Sequence, residues 1–201
     1  MPASARKRLA ASSTSTPARK ITKRHRPIPL TTSRPELIAN GSDREFRELV
    51  HNLFGFFALH ERIRNGHAKF IGLAGIEYTV LIAIAHLAVD GDVSVKAVAE
   101  HLHLSGAFIT STTRRLLASG LIHKTTDTVD RRRVSLAVSD NGRALLEKLA
   151  PVQRRINDVE FGGLSREEFK TLNSLMQRML EDGDRAVALQ NYLLAAGMAA
   201  D

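Results

Sequence analysis

The run from Leu104 to Ser139, LSGAFITSTTRRLLASGLIHKTTDTVDRRRVSLAVS, limits the folds open to this chain more than any other stretch. Ser105 sits where a side-chain oxygen can cap a helix, and Gly120 where a helix can end. Between them, Phe108, Ile109, Thr112 and Leu116 recur at three- and four-residue spacing, so these four are expected to point inward. Thr110, Ser111, Arg114 and Arg115 then form a polar, cationic face. Two short β-prone runs follow, LIHKT and RVSLAV, separated by the exposed turn TDTVDRRR.

A helix followed directly by a basic hairpin is the pattern of a winged helix-turn-helix. The helix can enter a major groove while the hairpin reaches flanking backbone. Hydroxyls near a helix start contact bases or phosphates at short range, and arginine forks match guanine edges or phosphate oxygens. Arg131, Arg132 and Arg133 repel one another unless an anion offsets them, which favours a phosphate partner over a merely solvated turn. Asp130 is expected to hold one of these arginines and fix the hairpin tip. Lys124 adds a further cation on the first β-run.

Charge distribution supports this reading. The chain has 201 residues and a net charge of +8. Residues 1–35 carry nine cations and no acid, which leaves −1 for the remainder. A cationic patch on a near-neutral body is a stronger nucleic-acid signal than a high isoelectric point. With 43% hydrophobic residues a real core is affordable, and with no cysteine there are no disulfides, thiolate metal sites or thiol switches. The most apolar run, Tyr78 to Val89, is too short to span a bilayer and contains His86. The expectation is a soluble, cytoplasmic protein with no membrane partner and no cofactor.

In chain order, residues 1–40 form a basic tail too poor in apolar periodicity to order itself. A solvated tail, a DNA-tethering arm and a transit peptide all remain open for it, although four prolines weaken the last. Ser42-Asp43-Arg44-Glu45 reads as a capping box opening a helix that ends near Asn65-Gly66. A core helix is expected from about Ile76 to Ala88, then a short helix capped by Ser94. Ser139 caps a further helix whose seam runs Leu145, Leu149, Val152, Ile156 and Val159, with Pro151 expected to kink or break it. Ser165 opens a second capping box, and Phe169, Leu172, Met176 and Met179 repeat the seam; Asp184 to Met198 forms a last helix-prone stretch. Excess apolar surface at both ends of the chain suits a dimer. Phe46, Leu145, Leu149, Val152, Phe169, Leu172 and Met176 are its expected interface. The fold expected is mainly α with a small β-hairpin wing: a winged helix-turn-helix at 75–138, flanked by dimerisation helices at 42–66 and 139–198, in one domain at 41–201.

With these elements in place, the chain resembles the MarR family of bacterial winged-helix regulators over roughly Ser42 to Tyr192. The specific pieces are LSGAFITSTTRRLLASGLI and DRRRVSLAVSDNG. The resemblance implies that Ser105, Ala107, Thr110 and Ser111 occupy groove-facing positions. It also implies that Arg131 and Arg132 belong to a wing that enters the minor groove, where narrow A·T tracts concentrate negative potential. Arg114 stands where an acid is common in the family, and the basic tail lies outside the family core. A homodimer on a pseudo-palindromic double-stranded operator is implied as well, often as a repressor released by a small phenolic or carboxylic effector. Phe54, Phe57, His60, Arg64 and Tyr78 are the positions expected to line the effector cleft.

Rival classes fare less well. The sequence has no G-x-S-x-G, P-loop, G-x-G-x-x-G or H-E-x-x-H, so no catalytic residues and no enzyme are expected. His101 and His103 fall on different faces of a helix, and a metal site joining them to His123 would need an unusual fold-back. A non-switching architectural or chromatin-type DNA-binding protein with a basic tail is the main alternative. It would have no need of the Leu145–Val159 seam. A winged helix that has become a protein-interaction module is disfavoured by the arginine triplet.

Overall fold

The computed structural model describes residues 28–126 and 134–197. Residues Met1–Asn52 and Leu53–Asp201 form separate compact units, and helix α1, Arg44–Phe70, passes from one into the other. In the first unit a 3-10 turn at Pro35–Leu37 precedes a bridge between Ala39 and Ser42. The expected capping box does not form, because the Ser42 N–H is already bonded to the Ala39 carbonyl at 2.9 Å. The Ser42 hydroxyl accepts the Arg44 N–H instead. Asp43, immediately before the helix, is fully buried and accepts both the N–H and the hydroxyl of Thr31 at 2.7 Å. It also pairs with Arg47. These bonds, those from Thr31 foremost, hold its carboxyl below the usual carboxylate range.

The second unit contains α2 (Gly75–Leu87), α3 (Val95–His101), α4 (Gly106–Ala118), the hairpin β1–β2 (Ile122–Thr126 and Val134–Val138), α5 (Asp140–Glu160) and α6 (Arg166–Ala195). The strands pair antiparallel with Ile122 opposite Val138 and Lys124 opposite Leu136. Val93 adds a single rung to the outer strand, its carbonyl accepting the Leu136 N–H at 2.7 Å. The main core gathers Val80, Leu81 and Ile84 of α2, Val98 of α3, Ile109 and Leu116 of α4, and Ile122, Leu136 and Val138 of the hairpin. A smaller cluster joins Ala68, Ile71, Tyr78 and Leu149. Serine caps start four helices: Ser94, Ser105, Ser139 and Ser165 each accept a backbone N–H, and Ser165 forms a full capping box with Glu168. Gly120, at φ +66°, closes α4 in the left-handed region that favours glycine.

Three expectations about the helices need correction. First, α1 does not end at Asn65-Gly66 but continues to Phe70. His67 and Ala68 are buried there, and packing outweighs the propensity cost of one glycine, about 1 kcal/mol. Second, α5 runs unbroken through Pro151, held by the Ser139 cap at its start and the buried Leu149 beside the proline. The stretch from Asp184, expected to be helix-prone, is helical to Ala195 as the continuation of α6 through Gly183. Third, Leu149 is no interface residue. At 2% exposure it belongs to the chain's own core. Leu145 is likewise packed partly against that core, whereas Phe169 and Leu172 stand open at 47% and 40%. Phe46, Val152 and Met176 are half-buried.

Candidate nucleic-acid interface and an internal cavity

Helix α4 owes its orientation to one buried face. Ile109, Thr112, Thr113 and Leu116 are sunk into the core, and the two threonine hydroxyls donate to the Phe108 and Thr110 carbonyls. Buried hydroxyls are satisfied in this way by the preceding helical turn. The opposite stripe is exposed: Ala107, Phe108, Ser111, Arg114, Arg115 and Ala118. Phe108 therefore does not point inward as its spacing suggested; it is 44% exposed. The apolar arc of α4 is centred one position further along, on Ile109, Thr113 and Leu116.

The expected contact residues differ in how free they are. Ser105 spends its oxygen on the Phe108 N–H. The half-buried Thr110 donates to the Gly106 carbonyl at 2.8 Å. Arg115 is tied down: its Nε donates to Glu77 at 2.8 Å, and its other nitrogens reach Ser111 and Thr112. Arg115, and then the Ala74 N–H, lower the Glu77 carboxyl below its ordinary range, so this exposed-edge ion pair stays charged. Arg114 and Ala107 are exposed, as is Lys124 on β1. Asp130, Arg131, Arg132 and Arg133 lie outside the described residues.

A cavity of about 450 Å³ opens between α1, α2, α3 and α5. His60, Arg64 and Tyr78 line it as expected. Phe54 and Phe57 do not; they are 67% and 50% exposed. The lining also includes His67, His86, His101, Gln153, Asn157 and Phe161, none of which the sequence reading placed in a cleft. One signal was available, because His60, Arg64 and His67 follow one another at four and three residues on a helix. Tyr78 is buried, accepts a hydrogen bond from Gln153 at 3.0 Å and meets His67 edge-on, with ring centroids 5.9 Å apart. Burial raises the Tyr78 phenol above its ordinary range and lowers the His67 and His101 imidazoles below theirs. His60 pairs with Glu160 at 2.9 Å. Arg64 Nε, His67 Nε2 and Glu160 Oε2 are buried without a hydrogen-bond partner. Such a set calls for a partner bringing both acceptors and donors. Among the described residues no group of three or more His, Asp or Glu is arranged to hold a metal ion, and no single helix is long and apolar enough to cross a membrane.

Two helices joined by a tight turn, with a third beneath and a hairpin behind, define a winged helix-turn-helix DNA-binding module. Residues 71–133, which span most of this module, match the model of the MarR family. It is 27% identical over 139 residues to the HTH-type transcriptional repressor NicR of Pseudomonas putida, a match covering 69% of this chain and 86% of that protein. A structure of BpsR from Bordetella bronchiseptica, whose DNA binding is regulated by 6-hydroxynicotinic acid, is 26% identical with a TM-score of 0.54. That match covers 66% of this chain and 98% of BpsR. A mutant MarR from E. coli in complex with operator DNA shares the fold at 19% identity and a TM-score of 0.57, over 68% of this chain and 96% of that one.

Proposed function

We propose that this regulator is a homodimeric, sequence-specific repressor that binds a pseudo-palindromic double-stranded operator and is released by a small aromatic or carboxylic effector. The observation that carries the DNA-reading part is the exposed stripe of α4, with Ala107, Ser111 and Arg114 open and Arg115 braced by Glu77. A braced arginine loses little side-chain freedom when it meets a base or phosphate. Ser105 and Thr110 act mainly in holding the helix start, and Lys124 and the wing arginines supply backbone contacts.

Dimer formation is supported by α6, whose 30 residues include none that is buried. Phe169, Leu172, Leu175, Met179 and Leu180 are each 40–48% exposed. An amphipathic helix of that length needs a second apolar surface, and a twofold copy supplies one. Effector release is supported by the cavity lined with His60, Arg64, His67 and Tyr78. An anionic ring would place its carboxylate at Arg64 and its face against Tyr78 or Phe161. The likeness to BpsR favours a heteroaromatic carboxylate.

Selection of bound duplexes from random DNA at near-physiological salt tests the reading. One inverted repeat, with half-site centres about one helical turn apart, is expected. Recovery of no motif, with binding that fades steeply as salt rises, would mean that the protein coats DNA without reading it. Adding 6-hydroxynicotinic acid to the selected complex then tests release, with Arg64→Gln expected to blunt the response.

A further inference from the structure

Phe108 belongs to neither apolar core. It lies in the first turn of α4, 44% exposed, although only eight phenylalanines occur in the whole chain. Phe108, Ser111, Arg115 and Ala118 follow at three- and four-residue spacing along the exposed stripe, so the ring shares a face with the groups offered to DNA. Ser111 and Arg115 share that face with the ring, so its helical neighbours are polar and cationic. A ring so placed suits a partner that is anionic around its edge and apolar at one point. The Phe108 N–H is fixed by the Ser105 oxygen, and its carbonyl accepts the Thr112 hydroxyl, so the backbone under the ring is held on both sides.

The major groove offers one apolar feature, the 5-methyl group of thymine. We propose that Phe108 is a specificity-determining residue: its ring packs on the 5-methyl group of a thymine in each half-site. The ring thereby selects T·A over C·G by an apolar contact, where Ser111 and Arg114 select by hydrogen bonds and charge. This rests on the DNA-reading function proposed above. The contact removes one methyl group from water, worth about 0.8 kcal/mol, or roughly fourfold in affinity per half-site.

The experiment replaces thymine by deoxyuridine, one position at a time, in the duplex recovered by selection. This removes the methyl group and leaves every hydrogen-bonding group unchanged. For the unaltered protein, one substitution per half-site is expected to weaken binding roughly fourfold, with the others near neutral. In Phe108→Ala, overall affinity falls and that penalty disappears; in Phe108→Leu, which keeps an apolar contact, much of it remains. A melting temperature within a degree or two of the parent for both variants shows that the fold is intact, as an exposed side chain should allow. Equal binding of the thymine and deoxyuridine duplexes overturns the proposal. So does a penalty that survives in Phe108→Ala, or a selected motif with no invariant thymine in its half-sites. In each of these cases DNA reading itself stands. If selection yields no motif at all, the DNA-reading function and this inference fall together.

Discussion

The winged module and helix α6 are built from similar apolar content and treat it in opposite ways. In the module Leu81, Ile84, Ile109 and Leu116 are at most 1% exposed, each helix turning one face inward and one outward. In α6, Leu172, Leu175 and Met179 repeat at three- and four-residue spacing and stay open to 40–43%. The module completes its core within one chain. Helix α6 presents a seam that stays open among the described residues, the surface that a second copy covers on the reading proposed above. Identical periodicity thus serves two ends, and only burial tells them apart.

Mutations at matched positions can break that comparison. The largest effect is expected from Leu149→Asp, which places an unpaired charge in the small core; a loss of more than about 4 kcal/mol should leave the chain unfolded in denaturant titrations. A cooperative transition near that of the parent would remove Leu149 from the core. By contrast, Leu172→Asp combined with Met179→Asp should halve the mass seen by light scattering while the module keeps its fold. A mass unchanged at twice the chain weight would exclude α6 as the interface. On the reading face, Arg114→Ala should weaken operator binding by about 1–3 kcal/mol, and Arg132→Ala by a similar amount if it enters a groove. Equal affinity in either variant would remove that arginine from the contact.

The smallest expected effect is on pH. His67 is depressed chiefly by burial, so the unfolded chain binds a proton there more readily than the folded one. Stability is then fully present above the ordinary imidazole range, near pH 6.5, and declines as pH falls through it. Thermal unfolding between pH 8 and pH 5.5 should show this decline, and His67→Gln should flatten it. A decline of equal steepness in the variant would assign the effect elsewhere, His101 being the other depressed imidazole.

Short-range chemistry was the most legible part of the sequence. The serine caps at 94, 105, 139 and 165 depend on neighbours three residues away, and all four form. Features decided at a distance were harder to read. Gly66 and Pro151 are locally unfavourable to a helix, yet packing carries α1 and α5 past both. Leu149 looks like an interface residue because an apolar seam reads alike whether its partner is its own chain or another. Phe108 was misplaced because a helical face shifted by one residue still satisfies the same spacing. The cavity draws His67, His86, His101 and Gln153 from four helices, and no linear pattern joins them.

Ser139 and Gly142 make the junction between hairpin and α5 unusually intolerant. The Ser139 hydroxyl donates to the Gly120 carbonyl at 2.7 Å while accepting the Gly142 N–H at 3.0 Å. A β-carbon on Gly142 would overlap the Leu121 carbonyl oxygen. The end of α4, the root of the hairpin and the first turn of α5 are therefore bolted together at one point. Mechanically this is a shared hinge pin: the helix that borders the cavity at its far end is fastened at its near end to the helix offered to DNA.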